Sequence, residues 1–334
     1  MASRRNADPG GSGARRRRSG RAGPGRPAAS DSRNEGAVDP AGGEPGVVVA
    51  HHGVAVLVRL DSGVERQIWL APRQRAVAGD RVRVFAGRLV VEPAHGILRR
   101  RDARGRDRTI AVNLDWLGIV VAPEPREPPG YIDRGFVIAR TAGIEVDVIL
   151  NKFDLEAANP LADRLDEIYG DSGTVHRVSA TAGEGIGAIA EALSGGRLGA
   201  LVGPSGVGKS SLLNALVPDL SLAVSDLNRK SQKGRHTTTT ATLHAVSGGG
   251  LLLDTAGFKD FTAVDVDPLD VARFFPGFEK VVLADCRFRD CLHRSEPGCA
   301  VLAAVGSGGI PPRRYRAYLE LLDEIGSPSR PSSG

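Results

Sequence analysis

The sequence predicts a multidomain chain: a small N-terminal β-barrel, a mostly parallel three-layer α/β domain, and a small helical C-terminal domain organised by a metal cluster. Three observations lead there. Five short strand-like stretches punctuated by tight turns fill residues 47–92, the strand count of a small closed barrel. Strands and helices then alternate from about Asn113 to the glycine-rich stretch beginning at Gly203, the pattern of a parallel sheet covered on both faces. All three cysteines of the chain lie between positions 286 and 299 with His293 among them, a donor set suited to a closed tetrahedral metal site.

A chain of 334 residues has room for two or three domains, and a hydrophobic share of 41% permits true cores. Residues 1–46 are rich in Gly, Pro and Ser and hold nine arginines against five acidic residues, so 9 − 5 = +4 of the net +5 sits there. With four consecutive arginines at 15–18, this segment reads either as a disordered basic tail that touches RNA phosphates or as an inert solvated extension. No apolar run approaches the roughly 20 residues that span a bilayer, and no hydrophobic signal-peptide core is present. A cytoplasmic protein with no membrane contact is expected, and reduced thiols fit that compartment.

The barrel is expected over 47–96, with strands near 47–50, 54–60, 64–70, 81–85 and 88–92, and turns at Asp61-Ser62-Gly63, Ala78-Gly79-Asp80 and Ala86-Gly87. Five strands match an oligonucleotide-binding fold. Aromatics are only 4% of the chain, so RNA recognition here would rest on shape and backbone; a barrel that merely packs on its neighbour is the other reading. Residues 97–109 carry Arg99, Arg100, Arg101, Arg104, Arg106 and Arg108 and read as a basic connector. The α/β domain is expected over 110–262: a strand over 113–121, a Pro-rich loop, a helix over 131–141, a strand over 144–150, a helix over 184–193 and strands at 198–202 and 251–253. Helices over 268–275 and 311–325 then flank the cysteines in a domain spanning 263–325, and a short tail, 326–334, follows.

The stretch Gly203-Pro204-Ser205-Gly206-Val207-Gly208-Lys209-Ser210 fits G-x-x-x-x-G-K-[ST]. Its glycines let backbone N–H groups converge on phosphates, its lysine neutralises the outer oxygens, and Ser210 is the natural Mg²⁺ ligand. A buried strand precedes it and a helix beginning near Ser211 follows, so the helix end adds a favourable field for phosphate. Asn151-Lys152-Phe153-Asp154 closes a β-branched run at the strand end where ligands gather in α/β sheets. There an aspartate accepts from both the ring N–H and the amino group of guanine; an aspartate in this place is also a common helix N-cap. No second [NT]-K-x-D follows Asp254, so the early copy is the candidate. Ser179-Ala180 lies after another strand-like stretch, where a base-contacting loop is expected.

Asp254-Thr255-Ala256-Gly257 follows both motifs, with Asp254 placed to support the Mg²⁺ shell and the Gly257 N–H to meet a γ-phosphate. The next residue is Phe258, which cannot orient an attacking water as a glutamine there does. Between the phosphate loop and Asp254 lies Gly234-Arg235-His236-Thr237-Thr238-Thr239-Thr240. His236 is the candidate for orienting water or acting as base, with an unattached loop histidine as the plain alternative. One of Thr237 to Thr240 is expected to bind magnesium.

Cys286-x4-Cys291-x-His293-x5-Cys299 offers three thiolates and one imidazole, the set for a structural Zn²⁺ with no open position. An odd cysteine count argues against a disulfide framework, and zinc would supply folding energy to a small domain.

The order of these motifs, base motif before phosphate loop, resembles the circularly permuted, ribosome small-subunit-dependent GTPases, the RsgA (YjeQ) family. The likeness runs from about Val47 to about Tyr318 and includes the phosphate loop, the Gly-Arg-His-Thr-Thr-Thr stretch and the cysteine cluster. It implies an N-terminal oligonucleotide-binding β-barrel, a circularly permuted P-loop α/β GTPase domain and a C-terminal small helical zinc-binding domain. It also implies GTP hydrolysis to GDP stimulated by the small (30S) ribosomal subunit during late maturation, with 16S rRNA as contact and the protein acting as a monomer. Lys209 and His236 are then the catalytic candidates, and Ser211 joins the GTP-binding residues. Ala256 departs from the commoner D-x-P-G of that family. Two other readings stay open at this level: an RNA-binding module with a non-hydrolysing nucleotide site, and an ATP-dependent RNA enzyme.

Overall fold

The computed structural model describes residues 42–101, 106–217, 220, 241–254, 266–281 and 283–326. The N-terminal tail, the segment holding His236 and Thr237 to Thr240, and the segment holding Gly257 and Phe258 lie outside the described residues.

All five barrel stretches form strands: β1 (Glu44–His51), β2 (Ala55–Leu60), β3 (Glu65–Trp69), β4 (Arg81–Phe85) and β5 (Arg88–Val91). Alternation sets their inner face. Val48, Val56, Val58, Leu60, Ile68, Val82, Val84 and Leu89 pack into a small core of their own. The antiparallel order is β3-β2-β1-β4-β5, and β5 comes back beside β3. A register shift between Val48 and Ala50 gives β1 a kink, as bulges do. Its free edge is thereby shared, pairing first with β4 over Glu44 to Val47 and then, at Ala50, with Thr242 of the next domain. Trp69 is the one exposed Phe, Tyr or Trp ring of the barrel among the described residues.

The basic connector is itself structured, a two-stranded antiparallel hairpin of β6 (Leu98–Arg101) and β7 (Asp107–Ala111). Arginine-rich strands lack the apolar alternation that marks a strand in sequence, and here Arg100 stands opposite Arg108. Leu98 and Ala111, fully buried, anchor the base of the hairpin.

Beyond it, β8 (Trp116–Val121), β9 (Glu145–Leu150), β10 (Val175–Arg177), β11 (Leu198–Val202) and β13 (Leu251–Asp254) run parallel in the order β10-β9-β8-β11-β13, with β12 (Thr242–Ala245) antiparallel at the barrel side. Every residue of β8 and β11 is buried, as a sheet covered on both faces requires. One face packs α1 (Tyr131–Thr141) and α2 (Asn159–Tyr169); the other packs α3 (Ile186–Ala192) and α4 (Lys209–Leu216). The three predicted layers are present.

The C-terminal region contains a 3-10 turn at Pro268–Asp270, capped by the Asp267 carboxylate on Leu269 N at 2.9 Å, then α5 (Val271–Phe274), α6 (Ala300–Gly306) and α7 (Pro312–Gly326). Phe275, Phe278 and Tyr318 form an aromatic cluster that is continuous with the core under α1. Across this boundary Arg314 of α7 donates to both Asp133 oxygens, at 2.8 and 3.2 Å, and to Pro276 O at 2.7 Å. Tyr169 OH donates to the same carboxylate at 3.1 Å, and the guanidinium lies over the Phe275 and Tyr169 rings. Arg314 is 7% and Asp133 4% exposed. Among the described residues no helix is long and apolar enough to cross a membrane.

A buried guanidinium deprived of its partner is strongly destabilising. Asp133→Ala should therefore cost about 3–5 kcal/mol in urea denaturation, whereas removing the exposed pair Lys280–Asp171 should leave the curve in place. A loss below about 1 kcal/mol for Asp133→Ala would show that the pair does not hold the boundary.

Candidate functional site

Parallel strands deliver their carboxyl ends to one side of the sheet, and the motifs lie there. The phosphate loop leaves β11 and enters α4 at Lys209. Gly208 caps that helix at φ 98°, a left-handed conformation open to glycine. A Cβ at Gly208 would lie 2.2 Å from the Asn151 amide nitrogen, and one at Gly203 would lie 2.4 Å from Val120 O. These two glycines therefore serve close packing of neighbouring loops as well as the turn. Lys209 Nζ donates to Gly203 O and Pro204 O at 2.7 Å each, which folds the lysine back over its own loop. Ser205, Gly206 and Ser210 are exposed, Pro204 and Ser211 are half-buried, and Val207 is buried beneath them.

Asn151, directly after β9, is 2% exposed. Its Nδ2 donates to Val207 O at 2.8 Å and its Oδ1 accepts from Ala180 N at 3.1 Å, so one carboxamide joins three loops that are far apart in sequence. Lys152 follows at φ 61°, an uncommon backbone for a side chain of its size, and its Nζ donates to Glu124 O at 2.7 Å. Phe153 N donates to Val178 O at 3.0 Å. The exposed Asp154 carboxylate accepts from the buried Ser179 hydroxyl at 2.6 Å, and Ala182 N donates to that hydroxyl at 3.2 Å. The aspartate is thus aimed by a second loop while one face stays open to solvent.

Asp254 ends β13, next to β11 in the sheet, with Thr242 directly across on β12. On the same strand as Thr242, His244 is held below its ordinary value by burial, against the opposing pull of the Asp254 charge. The structure therefore brings Asn151, Lys152, Phe153, Asp154, Ser179 and Ala180 together with Gly203 to Ser211, and sets Asp254 on the adjoining strand. His236 and Gly257 lie outside the described residues. Sequence reasoning missed the loop after β8: besides the Lys152 contact at Glu124, Pro125 lies 3.4 Å from where a Cβ of Gly206 would sit. Its signal was a Pro-rich segment at the carboxyl end of a central strand.

The second cluster is the metal-ligand set. The donor atoms of Cys286, Cys291, His293 and Cys299 all lie within 4.8 Å of one another, with His293 Nδ1 3.3 Å from Cys299 Sγ and 3.6 Å from Cys286 Sγ. Tetrahedral bonds to sulfur and nitrogen space such donors about 3.5–3.8 Å apart, so the set fits one ion. Ala300 N donates to Cys286 Sγ at 3.3 Å and Leu302 N to Cys299 Sγ at 3.5 Å, bonds that favour thiolates. Burial pushes the Cys291 thiol up to about 12, and the facing Cys299 and Cys286 sulfurs push the same way. A divalent cation among them is what would hold all three as thiolates.

Comparison with known proteins agrees with this geometry. A model of the RsgA GTPase family matches residues 91–264. The small ribosomal subunit biogenesis GTPase RsgA of Pseudomonas fluorescens (strain SBW25) is 39% identical over 296 residues, covering 84% of this chain and 86% of that protein. The protein of the same name from Azotobacter vinelandii is 40% identical over 297 residues, 85% of this chain and 86% of its own. Among solved structures, YjeQ from Thermotoga maritima superposes with a TM-score of 0.70 at 30% identity, over 85% of this chain and 99% of its own. YloQ, described as a circularly permuted GTPase, superposes with a TM-score of 0.65 over 88% and 99% of the two chains; at 23% identity it speaks for the fold alone. Motif order, fold and relatives agree, and the chain belongs to the RsgA GTPase family.

Proposed function

We propose that this GTPase binds guanine nucleotide between the Asn151 and Gly203 loops, hydrolyses GTP to GDP and phosphate, and acts in late maturation of the small ribosomal subunit, which stimulates it. The observation that carries the reading is the Asn151 carboxamide bonded to both Val207 and Ala180, because it makes a base pocket and a phosphate cradle parts of one site. Asp154 reads the guanine edge, aimed by Ser179; Ala180 closes the pocket; and the backbone from Gly203 to Gly208 cradles phosphates at the α4 end.

Lys209 stabilises charge developing on the transferred phosphoryl group; Ser210 and a switch threonine would hold Mg²⁺, with Asp254 supporting that site, and the ion would supply further charge stabilisation there. Gly257 N–H meets the γ-phosphate. His236 positions the attacking water, since Phe258 has no polar group to do so. The cysteine and histidine cluster holds one structural Zn²⁺, as its donor chemistry favours. Residues 47–96 act as the oligonucleotide-binding barrel, 110–262 as the GTPase domain and 263–325 as the zinc domain. The names its relatives carry support the small (30S) subunit as partner, and 16S rRNA is the contact we assign, reached by a monomer in the cytoplasm.

Two measurements test this reading. Phosphate release from GTP should rise on adding isolated small subunits and not large subunits; equal rates with either would refute it. In that assay His236→Ala should keep nucleotide binding and lose about 100-fold or more of stimulated turnover, and an unchanged rate would remove the histidine from the mechanism. Asp154→Asn should lower GTP affinity by at least about 100-fold. It should favour XTP instead, because a carboxamide can donate to the oxygen that xanthine has where guanine has an amino group. An unaltered preference would place the base elsewhere.

A further inference from the structure

His293 carries φ 57°, a left-handed backbone uncommon outside glycine, though less so for histidine than for most side chains, and here its surroundings hold it. Those surroundings grip both sides of the ligand loop. Glu296 turns its carboxylate back beneath it: Oε1 accepts from Leu292 N at 2.8 Å, and Oε2 accepts from Arg294 N at 2.7 Å and from Ser295 N at 2.9 Å. From the other side α7 supplies two phenols. Tyr315 OH donates to His293 O at 2.7 Å and stands 3.2 Å from Arg294 O, while Tyr318 OH donates to Leu292 O at 3.0 Å. With N–H groups held by a carboxylate and carbonyls by hydroxyls, the kink is fixed and Nδ1 faces the Cys286 and Cys299 sulfurs.

We propose that Glu296, Tyr315 and Tyr318 are positioning residues of the metal centre, and that α7 ties the grip on the metal to the seating of the C-terminal domain on α1. The second half follows from adjacency. Arg314, one residue before Tyr315, is the side chain that Asp133 of α1 holds in the buried pair. The helix that fixes the carbonyls of the ligand loop is therefore oriented by a carboxylate that touches no ligand. Loosening that carboxylate lets α7 shift, and the phenols shift with it. Outer contacts of this kind orient metal ligands and tune affinity.

The inference rests on the zinc reading, and the test separates the two. Full-length protein loaded with Zn²⁺ is mixed with excess chromogenic chelator, and transfer of the metal is followed in time. Wild-type protein should give up one equivalent slowly. Glu296→Gln and Tyr315→Phe, which keep volume and packing, should release it about 10–100-fold faster, and Asp133→Asn several-fold faster. Lys280→Ala, which removes an exposed contact between the same domains, should match wild type. Co²⁺-substituted Glu296→Gln and Tyr315→Phe should show altered visible ligand-field bands, a change that general destabilisation would not produce, and retained GTP binding checks that each variant is folded. Wild-type release rates with unchanged Co²⁺ spectra in both loop variants would overturn the positioning role. Wild-type release from Asp133→Asn alone would overturn the link through α7. A wild-type protein that retains no zinc would overturn the zinc reading, and this inference with it.

Discussion

The carboxamide of Asn151 donates to Val207 O and accepts from Ala180 N, and the architecture of the candidate site depends on that pair of bonds. A primary amide has both donor and acceptor, so a single buried side chain can pin the loop after β11 to the loop after β10 while itself closing β9. Gly208 is the complementary constraint, since any Cβ there would occupy the space of the amide nitrogen. Chain order does not enter. A parallel sheet defines its ligand site by which strand ends lie side by side, so a base motif encoded before the phosphate loop reaches the same place as one encoded after it.

Two further devices extend that frame. Pairing of β1 with β12 at Ala50 and Thr242 makes the barrel continuous with the sheet that carries Asp254. At the opposite boundary the Arg314–Asp133 pair and the aromatic cluster of Phe275, Phe278 and Tyr318 seat the C-terminal helices on α1. In that region the loop between Cys286 and Cys299 is organised by the convergence of its four donor side chains, by hydrogen bonds that Glu296 accepts and by those that Tyr315 and Tyr318 donate.

Much of this was legible in the residues, for identifiable reasons. β2 and β4 alternate, β1, β8 and β11 carry continuous apolar runs, and the helix over Tyr131–Thr141 has an amphipathic period, so their positions followed from pattern alone. The phosphate loop, Asn151 to Asp154 and the cysteine spacing were legible because their chemistry needs fixed residue types at fixed intervals. The hairpin of β6 and β7 was hidden because charged strands carry no hydrophobic period. The role of the loop at Glu124 and Pro125 was hidden because its contacts are backbone to side chain across distant segments, which no local motif encodes. Glu296 and Asp133 escaped for a similar reason: a free surface carboxylate looks the same in sequence as one bonded to its own loop or buried in an ion pair.

The central claim is that an early and a late segment form one guanosine site through Asn151. Titration of a fluorescent, ribose-labelled GDP against Asn151→Ala measures it most directly. Removing the amide leaves Val207 O and Ala180 N without this partner, a loss of about 1–3 kcal/mol, so the dissociation constant should rise about 5- to 150-fold in protein that remains folded. Wild-type affinity in that variant would contradict the account, since base pocket and phosphate cradle would then stand without their link.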